Sequence, residues 1–116
     1  MRYMLLIYAE EAVENALSED QMGQLMQEYQ EFSAELEGAG AFLEGARLRP
    51  LETATTVRIR NDEVLGTDGP FAETKEALGG YYLIEAANLD AALDWARKVP
   101  SAKLGSVEVR PVWEME

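Results

Sequence analysis

Residues 3–9 read YMLLIYA, an apolar run of the length of a β-strand. Because successive side chains of a strand point to opposite faces of its sheet, this run presents an apolar set to each face. The two sets are Tyr3, Leu5, Ile7 and Met4, Leu6, Tyr8. Residues 81–86 (YYLIEA) have the same property. Helices on one face of an antiparallel sheet leave the other uncovered, so the second apolar face predicts a sheet-to-sheet homodimer.

A helix is predicted after the first strand. Ser18 and Gln21 match a capping box, in which each side chain accepts a hydrogen bond from the other residue's backbone N–H. Apolar side chains then recur at helical spacing, which indicates one buried face. Gly38 and Gly40 end this helix. A strand over residues 42–48 completes a first β-α-β unit.

The second half of the chain repeats this plan. The strand-like run at 81–86 is followed by Asn88, a favoured N-cap residue, and then by a shorter apolar stripe at helical spacing. Pro100 stops this second helix. Residues 105–113 (GSVEVRPVW) alternate as a half-buried strand does.

A β-hairpin arm is predicted between the two halves. Residues 53–60 (TATTVRIR) and 63–67 (EVLGT) are rich in strand-forming residues, and they flank the turn dipeptide Asn61-Asp62. Two β-α-β units in series indicate an α+β fold, a ferredoxin-like repeat with four antiparallel strands and a β-hairpin insertion. A length of 116 residues predicts a single domain over residues 1–116.

Composition and charge exclude several classes of function. The net charge is −12, from 22 acidic and 10 basic residues, so a phosphate backbone is repelled and nucleic acid is not an expected partner. No apolar run approaches the roughly 20 residues of a membrane span. The opening MRYMLLIYAEE is too short and too acidic for a signal peptide, and we expect a cytoplasmic protein without a membrane partner.

Cysteine and histidine are both absent from the sequence. A thiolate nucleophile, a cysteine or imidazole metal site and a Ser-His triad are therefore excluded. The acids Glu10, Glu11 and Glu14 do not match a calcium loop, and we expect neither metal nor cofactor. Acid–base chemistry near neutral pH would depend on a carboxylate, a lysine or a tyrosine with a shifted pKa.

Residues 67–80 (TDGPFAETKEALGG) allow two interpretations. In the first, Asp68-Gly69-Pro70 is a turn, and solvated charges follow it on one helical turn over residues 72–78 that Gly79-Gly80 ends. In the second, Asp68 and Glu73 converge on a pocket between the sheet and the first helix. Burial and mutual repulsion would then raise the pKa of one carboxyl.

Three basic residues are candidates for holding an anionic substrate beside those acids: Lys75, Arg47 and Arg58. Tyr29 lies in the apolar stripe of the first helix, where we expect it to pack in the core with one hydrogen-bond partner for its hydroxyl.

Five segments make the whole chain recognisable: MRYMLLIYAEE, TATTVR, DGPFAETKEALGGYYLIEA, LDAALDWARKVP and GSVEVRPVWE. From Tyr3 to Glu114 the chain resembles the YCII-related family in its DGPF subgroup. The resemblance implies a dimeric α/β barrel of ferredoxin-like protomers. It also implies a His-Asp pair in a cleft, with the histidine near Tyr29 and the acid matched by Asp68. This chain has no histidine and therefore lacks one member of that pair.

Two hypotheses for function follow. The first is a homodimer with a small-molecule-binding or enzymatic cleft for an anionic or aromatic ligand. If it is an enzyme, isomerase- or lyase-like chemistry would use Asp68 and Glu73 as acid and base and Tyr29 as a hydroxyl donor. The second is a ligand-sensing module that works beside an extracytoplasmic-function sigma factor, because proteins of the DGPF subgroup are often encoded next to such factors.

Overall fold

The computed structural model of the chain describes residues 1–115. It has an α+β fold with two antiparallel sheets and three helices. The strands are β1 (Arg2–Ala9), β2 (Phe42–Arg47), β3 (Thr55–Arg60), β4 (Glu63–Asp68), β5 (Ala77–Glu85) and β6 (Ser106–Pro111). The helices are α1 (Glu11–Asn15), α2 (Glu19–Gly38) and α3 (Leu89–Arg97), and short 3₁₀ turns lie at Leu51–Thr53 and Pro100–Lys103.

The larger sheet has the strand order β2-β5-β1-β6, and every neighbouring pair is antiparallel. This order agrees with the predicted ferredoxin-like repeat, in which the central strands come from the two β-α-β halves. Leu5 of β1 lies opposite Tyr82 of β5 on one side and Val109 of β6 on the other. The core-facing residues of β1 are therefore aligned with residues of β5 and β6 that pack against the core.

The core lies on the face of the larger sheet that α2 and α3 cover. Leu5 and Ile84 of the sheet are fully buried there with Leu36 of α2 and Val99. Burying each of these side chains is worth about 1.5–3 kcal/mol. Tyr82 packs edge-to-face on Phe32 of α2, with ring centroids 5.2 Å apart. This packing fixes α2 across the sheet and leaves the opposite face uncovered by helices.

The predicted capping box at the start of α2 is confirmed. The Ser18 hydroxyl accepts a hydrogen bond from the Gln21 backbone N–H at 3.1 Å, and the Gln21 side chain accepts one from the Ser18 N–H at 2.9 Å. The helix ends at Gly38, and Gly40 follows with a φ of +71°. A preceding short helix, α1, was not expected from the sequence, because its five residues carry no apolar stripe and bury no side chain.

The start of α3 is also as predicted, since the Asn88 side chain accepts a hydrogen bond from the Ala91 N–H at 2.9 Å. Its end differs slightly from the prediction. The helix stops at Arg97, and Pro100 then begins a 3₁₀ turn. A proline at the first position of a helical turn loses no hydrogen bond, because that N–H has no partner within the turn.

The hairpin arm, β3 and β4, forms a sheet of its own. Asn61 and Asp62 connect its strands with φ values of 52° and 66°, the positive angles that a tight two-residue hairpin turn requires. The predicted arm and its turn are therefore confirmed.

The predicted helical turn over residues 72–78 is wrong. Residues 69–76 form an irregular loop, and β5 begins at Ala77 and continues through Gly79 and Gly80. Gly80 is buried between β1 and β2, opposite Ile7 and Arg47. A Cβ on Gly80 would lie 2.8 Å from the backbone oxygen of Ala46, so this glycine allows a close approach of strands instead of ending a helix.

Across residues 1–115, no helix combines the length and the apolar character needed to cross a membrane.

Candidate functional site

The face of the larger sheet opposite α2 and α3, which we call the open face, carries the most distinctive group of side chains. Strand alternation and register place thirteen side chains on it: Arg2, Met4, Leu6, Tyr8, Glu44, Ala46, Leu78, Tyr81, Leu83, Glu85, Ser106, Glu108 and Arg110. On β1, Met4, Leu6 and Tyr8 are half-buried, whereas Leu5 and Ile7 on the helix side are buried. The second apolar face that the sequence predicted is therefore present.

The centre of the open face is apolar. Met4 and Leu83 lie opposite each other on β1 and β5, and Leu6 is the next open-face residue of β1. Leu5 and Ile84, their neighbours along the two strands, point into the core. Met4, Leu6 and Leu83 therefore point to the open face. A polar pair flanks this centre on each side.

The first pair joins β5 to β2. The Tyr81 hydroxyl donates a hydrogen bond of 2.6 Å to Oε1 of Glu44. This hydrogen bond raises the pKa of Tyr81 above its ordinary value of 10.0. The phenol therefore stays protonated at neutral pH, and its single hydrogen is committed to Glu44. The remaining lone pairs of both residues can accept hydrogen bonds.

The second pair joins β1 to β6. The Tyr8 hydroxyl donates to Oε1 of Glu108 at 3.3 Å, and Nε of Arg110 donates to Oε2 of Glu108 at 2.7 Å. The hydrogen bond from Arg110 lowers the pKa of Glu108, so this carboxylate is ionised at neutral pH. Its oxygens, like those of Glu44, act as acceptors.

The loop of residues 69–76 borders one end of the open face. The Ser106 hydroxyl, at the start of β6, donates a hydrogen bond of 2.7 Å to Glu76 near the end of the loop. Ser106 lies opposite Tyr8 in the sheet. The loop therefore runs from the hairpin arm to the Tyr8 end of the open face.

The beginning of this loop is held against β3. Three hydrogen bonds make the contact: Gly69 N–H to the Ala54 oxygen at 2.6 Å, the Thr56 hydroxyl to the Gly69 oxygen at 2.9 Å, and Arg58 Nη2 to the Phe71 oxygen at 3.2 Å. The φ of Gly69 is +105°, which favours glycine at this turn. The predicted turn at Asp68-Gly69-Pro70 is therefore confirmed.

Tyr29, predicted as a hydroxyl donor, lies on the helix side of the sheet. It packs against the core, and its hydroxyl donates a hydrogen bond of 2.6 Å to Oγ of the buried Ser101. Burial raises the pKa of Tyr29 above 10.0, and the hydrogen bond to Ser101 only partly offsets this. At neutral pH this hydroxyl is a committed donor.

The two predicted carboxylates are exposed to solvent. Asp68 is the last residue of β4, opposite Thr55, and Glu73 lies in the loop. In the described part of the chain, neither forms a side-chain hydrogen bond or an ion pair. The burial that would make either of them a usable acid is not provided by the single chain.

The three predicted basic residues occupy separate places. Nη1 of Arg47, on the helix side, is 3.7 Å from the sulfur of Met26 in α2. Arg58 belongs to the arm, where its guanidinium carbon lies 5.9 Å from the centre of the Phe71 ring. Lys75 is exposed in the loop. The structure thus gives a direct link only between Arg58 and the loop that contains Glu73 and Lys75.

Glu44, Tyr81, Tyr8, Glu108 and Arg110 were not among the predicted site residues. Strand alternation could have placed four of them, because Tyr8, Tyr81, Glu108 and Arg110 each alternate with a buried neighbour or an apolar one. Glu44 follows a register shift in β2 after Phe42, and a simple alternation rule does not locate a residue across such an irregularity.

Comparison with known proteins gives a consistent result. The family model described as "YCII-related domain" matches residues 1–116. The chain is also 42% identical, over 114 residues, to an uncharacterised protein of Rhizobium meliloti (strain 1021). That match covers 97% of this chain and 92% of the relative.

Proposed function

This protein belongs to the YCII-related domain family, and we propose that it works as a homodimer that binds a small aromatic molecule between its paired sheets. The observation that carries the proposal is the open face, with its apolar centre and two tyrosine–carboxylate pairs. The DGPF subgroup and the dimeric α/β barrel stay predictions from the sequence motifs, and the proposed pairing of sheets agrees with them.

The apolar centre supports the dimer. Met4, Leu6 and Leu83 form a continuous apolar strip across two neighbouring strands, and α2 and α3 pack on the other face. A contiguous apolar patch rimmed by polar groups is typical of a protein–protein contact. In a two-fold dimer this strip contacts the same strip of the other copy, so one surface of the chain is enough to form the interface.

The flanking pairs support a ligand of defined chemistry. Tyr81 and Tyr8 offer aromatic rings, while Glu44 and Glu108 offer hydrogen-bond acceptors. Binding clefts combine apolar walls with a few polar groups of this kind. The best match is an aromatic molecule with O–H or N–H donors. An anionic ligand fits less well here, because Glu44 and Glu108 would repel it.

Binding is better supported than acid–base catalysis. Catalysis at neutral pH needs a group with a pKa near 7. In residues 1–115, burial raises the pKa of Tyr29, and the hydrogen bond to Glu44 raises the pKa of Tyr81. Hydrogen bonds donated by Arg110 and Arg2 lower the pKa of Glu108 and Glu114, respectively. All four changes move away from neutrality. A ligand-sensing role beside a sigma factor requires binding without turnover and remains the alternative hypothesis.

Phenol and benzoate are a suitable pair of probes, because phenol is neutral and has an O–H donor, whereas benzoate is an anion without a donor. We expect phenol to shift the backbone amide NMR signals of Leu6, Tyr81 and Glu108, and benzoate to shift them much less at equal concentration. In Tyr81→Phe, the loss of one acceptor oxygen should weaken phenol binding about fivefold, the effect of about 1 kcal/mol.

Tyr29→Phe is the matched control, since it removes a hydroxyl from the helix side of the same sheet. It should leave phenol binding unchanged. Equal shifts with phenol and benzoate, or loss of binding in Tyr29→Phe but not in Tyr81→Phe, would contradict a ligand site on the open face.

A further inference from the structure

The two faces of the hairpin arm differ in chemistry. Register places Val57, Ile59 and Val64 on one face, with Gly66 opposite Val57, and the pair Thr55 and Asp68 ends this face at the base of the arm. The other face carries Thr56, Arg58, Arg60, Glu63, Leu65 and Thr67. We call the first the apolar arm face and the second the polar arm face. A hairpin exposed to water on both sides has no need for three β-branched residues on one of them.

The apolar arm face is strongly exposed. Val57, Ile59 and Val64 have 63%, 62% and 70% of their surface accessible to solvent. The polar arm face, in contrast, is partly covered at its base, where Thr56 and Arg58 bond the loop at Gly69 and Phe71. The chain therefore covers the base of the polar arm face with its own loop and leaves the apolar arm face exposed.

The arm extends away from the rest of the molecule. In the described residues its strands pair with each other and form no ladder with the larger sheet. The radius of gyration is 16.1 Å, whereas a compact domain of about 100 residues has about 13 Å. The molecule measures 47 × 46 × 18 Å. An isolated two-stranded hairpin is at best marginally stable in water, so this shape requires a further contact.

The distribution of charge indicates which molecule makes that contact. Residues 47–75 carry no net charge, because their five basic residues are matched by five acidic ones, namely Glu52, Asp62, Glu63, Asp68 and Glu73. Residues 3–46 contain ten acidic residues and no basic one. Because the arm segment is neutral, a second copy of this acidic chain meets less charge repulsion at the arm than elsewhere. Nucleic acid is repelled by the net charge of −12, and the neutral arm offers no charge that would attract a basic protein.

We propose that the apolar arm face packs against a second copy of this chain, so that each protomer of the homodimer clasps the other with its arm. The inference rests on the proposed homodimer and adds a second contact to it. The arm joins β2 to β5, two strands of the open face, so a copy that covers the open face lies beside the arm. The clasp is reciprocal, as a two-fold axis requires.

Charge substitutions on the two arm faces test this proposal. Val64→Lys places an ammonium on the apolar arm face, and Thr67→Lys places one on the polar arm face of the same strand. Sedimentation equilibrium measures the dimer dissociation constant of each. We expect Val64→Lys to raise it at least about tenfold, because each dimer buries two such positions, and Thr67→Lys to change it less than about threefold.

Trypsin provides an independent measurement, since it cuts after Arg58 and Arg60. We expect cleavage at these bonds to slow as the wild-type concentration rises through the dimer dissociation constant, and Val64→Lys to be cut fast at the same concentrations. A wild-type dimer whose dissociation constant is the same in Val64→Lys and Thr67→Lys overturns the clasp alone and leaves the sheet contact standing. A wild-type chain that is monomeric throughout overturns both the clasp and the homodimer.

Discussion

At the scale of single residues, Tyr29 forms a hydrogen bond of 2.6 Å with Ser101, a residue distant from it in the chain. Tyr29 falls in the apolar stripe of α2 and was expected to pack against the core with one hydrogen-bond partner, and both statements are confirmed. The partner, Ser101, is 72 residues away in the chain and lies in a 3₁₀ turn that Pro100 begins. Helical periodicity carries no information on such a distant contact.

The hydrogen bond between Tyr29 and Ser101 should contribute measurably to stability. Ser101 is only 4% exposed, so Tyr29→Phe leaves a buried hydroxyl without its donor. We expect the free energy of unfolding in urea to fall by about 1–2 kcal/mol. Ser101→Ala is the partner variant. In the double variant the two losses should not add, and full additivity would show that the two hydroxyls do not interact.

At the scale of elements, the predictions that rest on local chemistry are confirmed. The capping box at Ser18, the cap at Asn88 and the hairpin turn at Asn61-Asp62 depend on short-range hydrogen bonds and dihedral preferences, which the sequence states directly. The predicted helical turn over residues 72–78 failed because the role of Gly80 depends on a neighbouring strand. Its requirement for glycine arises from the Ala46 backbone, 34 positions earlier in the chain.

The two glycines of β5 offer a matched test of that explanation. A Cβ on Gly80 would lie 2.8 Å from the Ala46 oxygen, and a Cβ on Gly79 would lie 3.9 Å from the Ile7 oxygen, an ordinary contact. Gly80→Ala should therefore lower the free energy of unfolding by about 1–3 kcal/mol. Gly79→Ala should change it by less than about 1 kcal/mol in either direction. Equal losses in thermal or urea unfolding would disprove a specific close approach at Gly80.

In the candidate site, too, the features that depend on one strand were predicted, and those that depend on contacts between strands were not. Alternation along β1 and β5 predicted the open face, because it needs only the sequence of each strand. The pairing of Tyr81 with Glu44 and of Tyr8 with Glu108 depends on strand order and on the register shift in β2. One of the two interpretations of residues 67–80 placed Asp68 and Glu73 in a pocket, and both side chains are exposed in the single chain.

At the scale of the whole molecule, the single chain leaves two apolar surfaces exposed, and the proposed homodimer would cover both. One is the strip of Met4, Leu6 and Leu83 on the open face, and the other is the apolar arm face. A chain with a net charge of −12 associates only where apolar burial exceeds charge repulsion. The dimer should therefore tighten as salt screens that repulsion.

Sedimentation equilibrium of the wild type and of Leu6→Lys tests the homodimer most directly. Leu6 is half-buried at the centre of the open face, so a lysine there is tolerated in the monomer but opposes contact between sheets. Leu89→Lys, at an exposed leucine of α3, is the matched control. We expect a dimer at micromolar concentration for the wild type and Leu89→Lys, and a folded monomer for Leu6→Lys. A monomeric wild type, or a Leu6→Lys dimer as tight as the wild type, would contradict it.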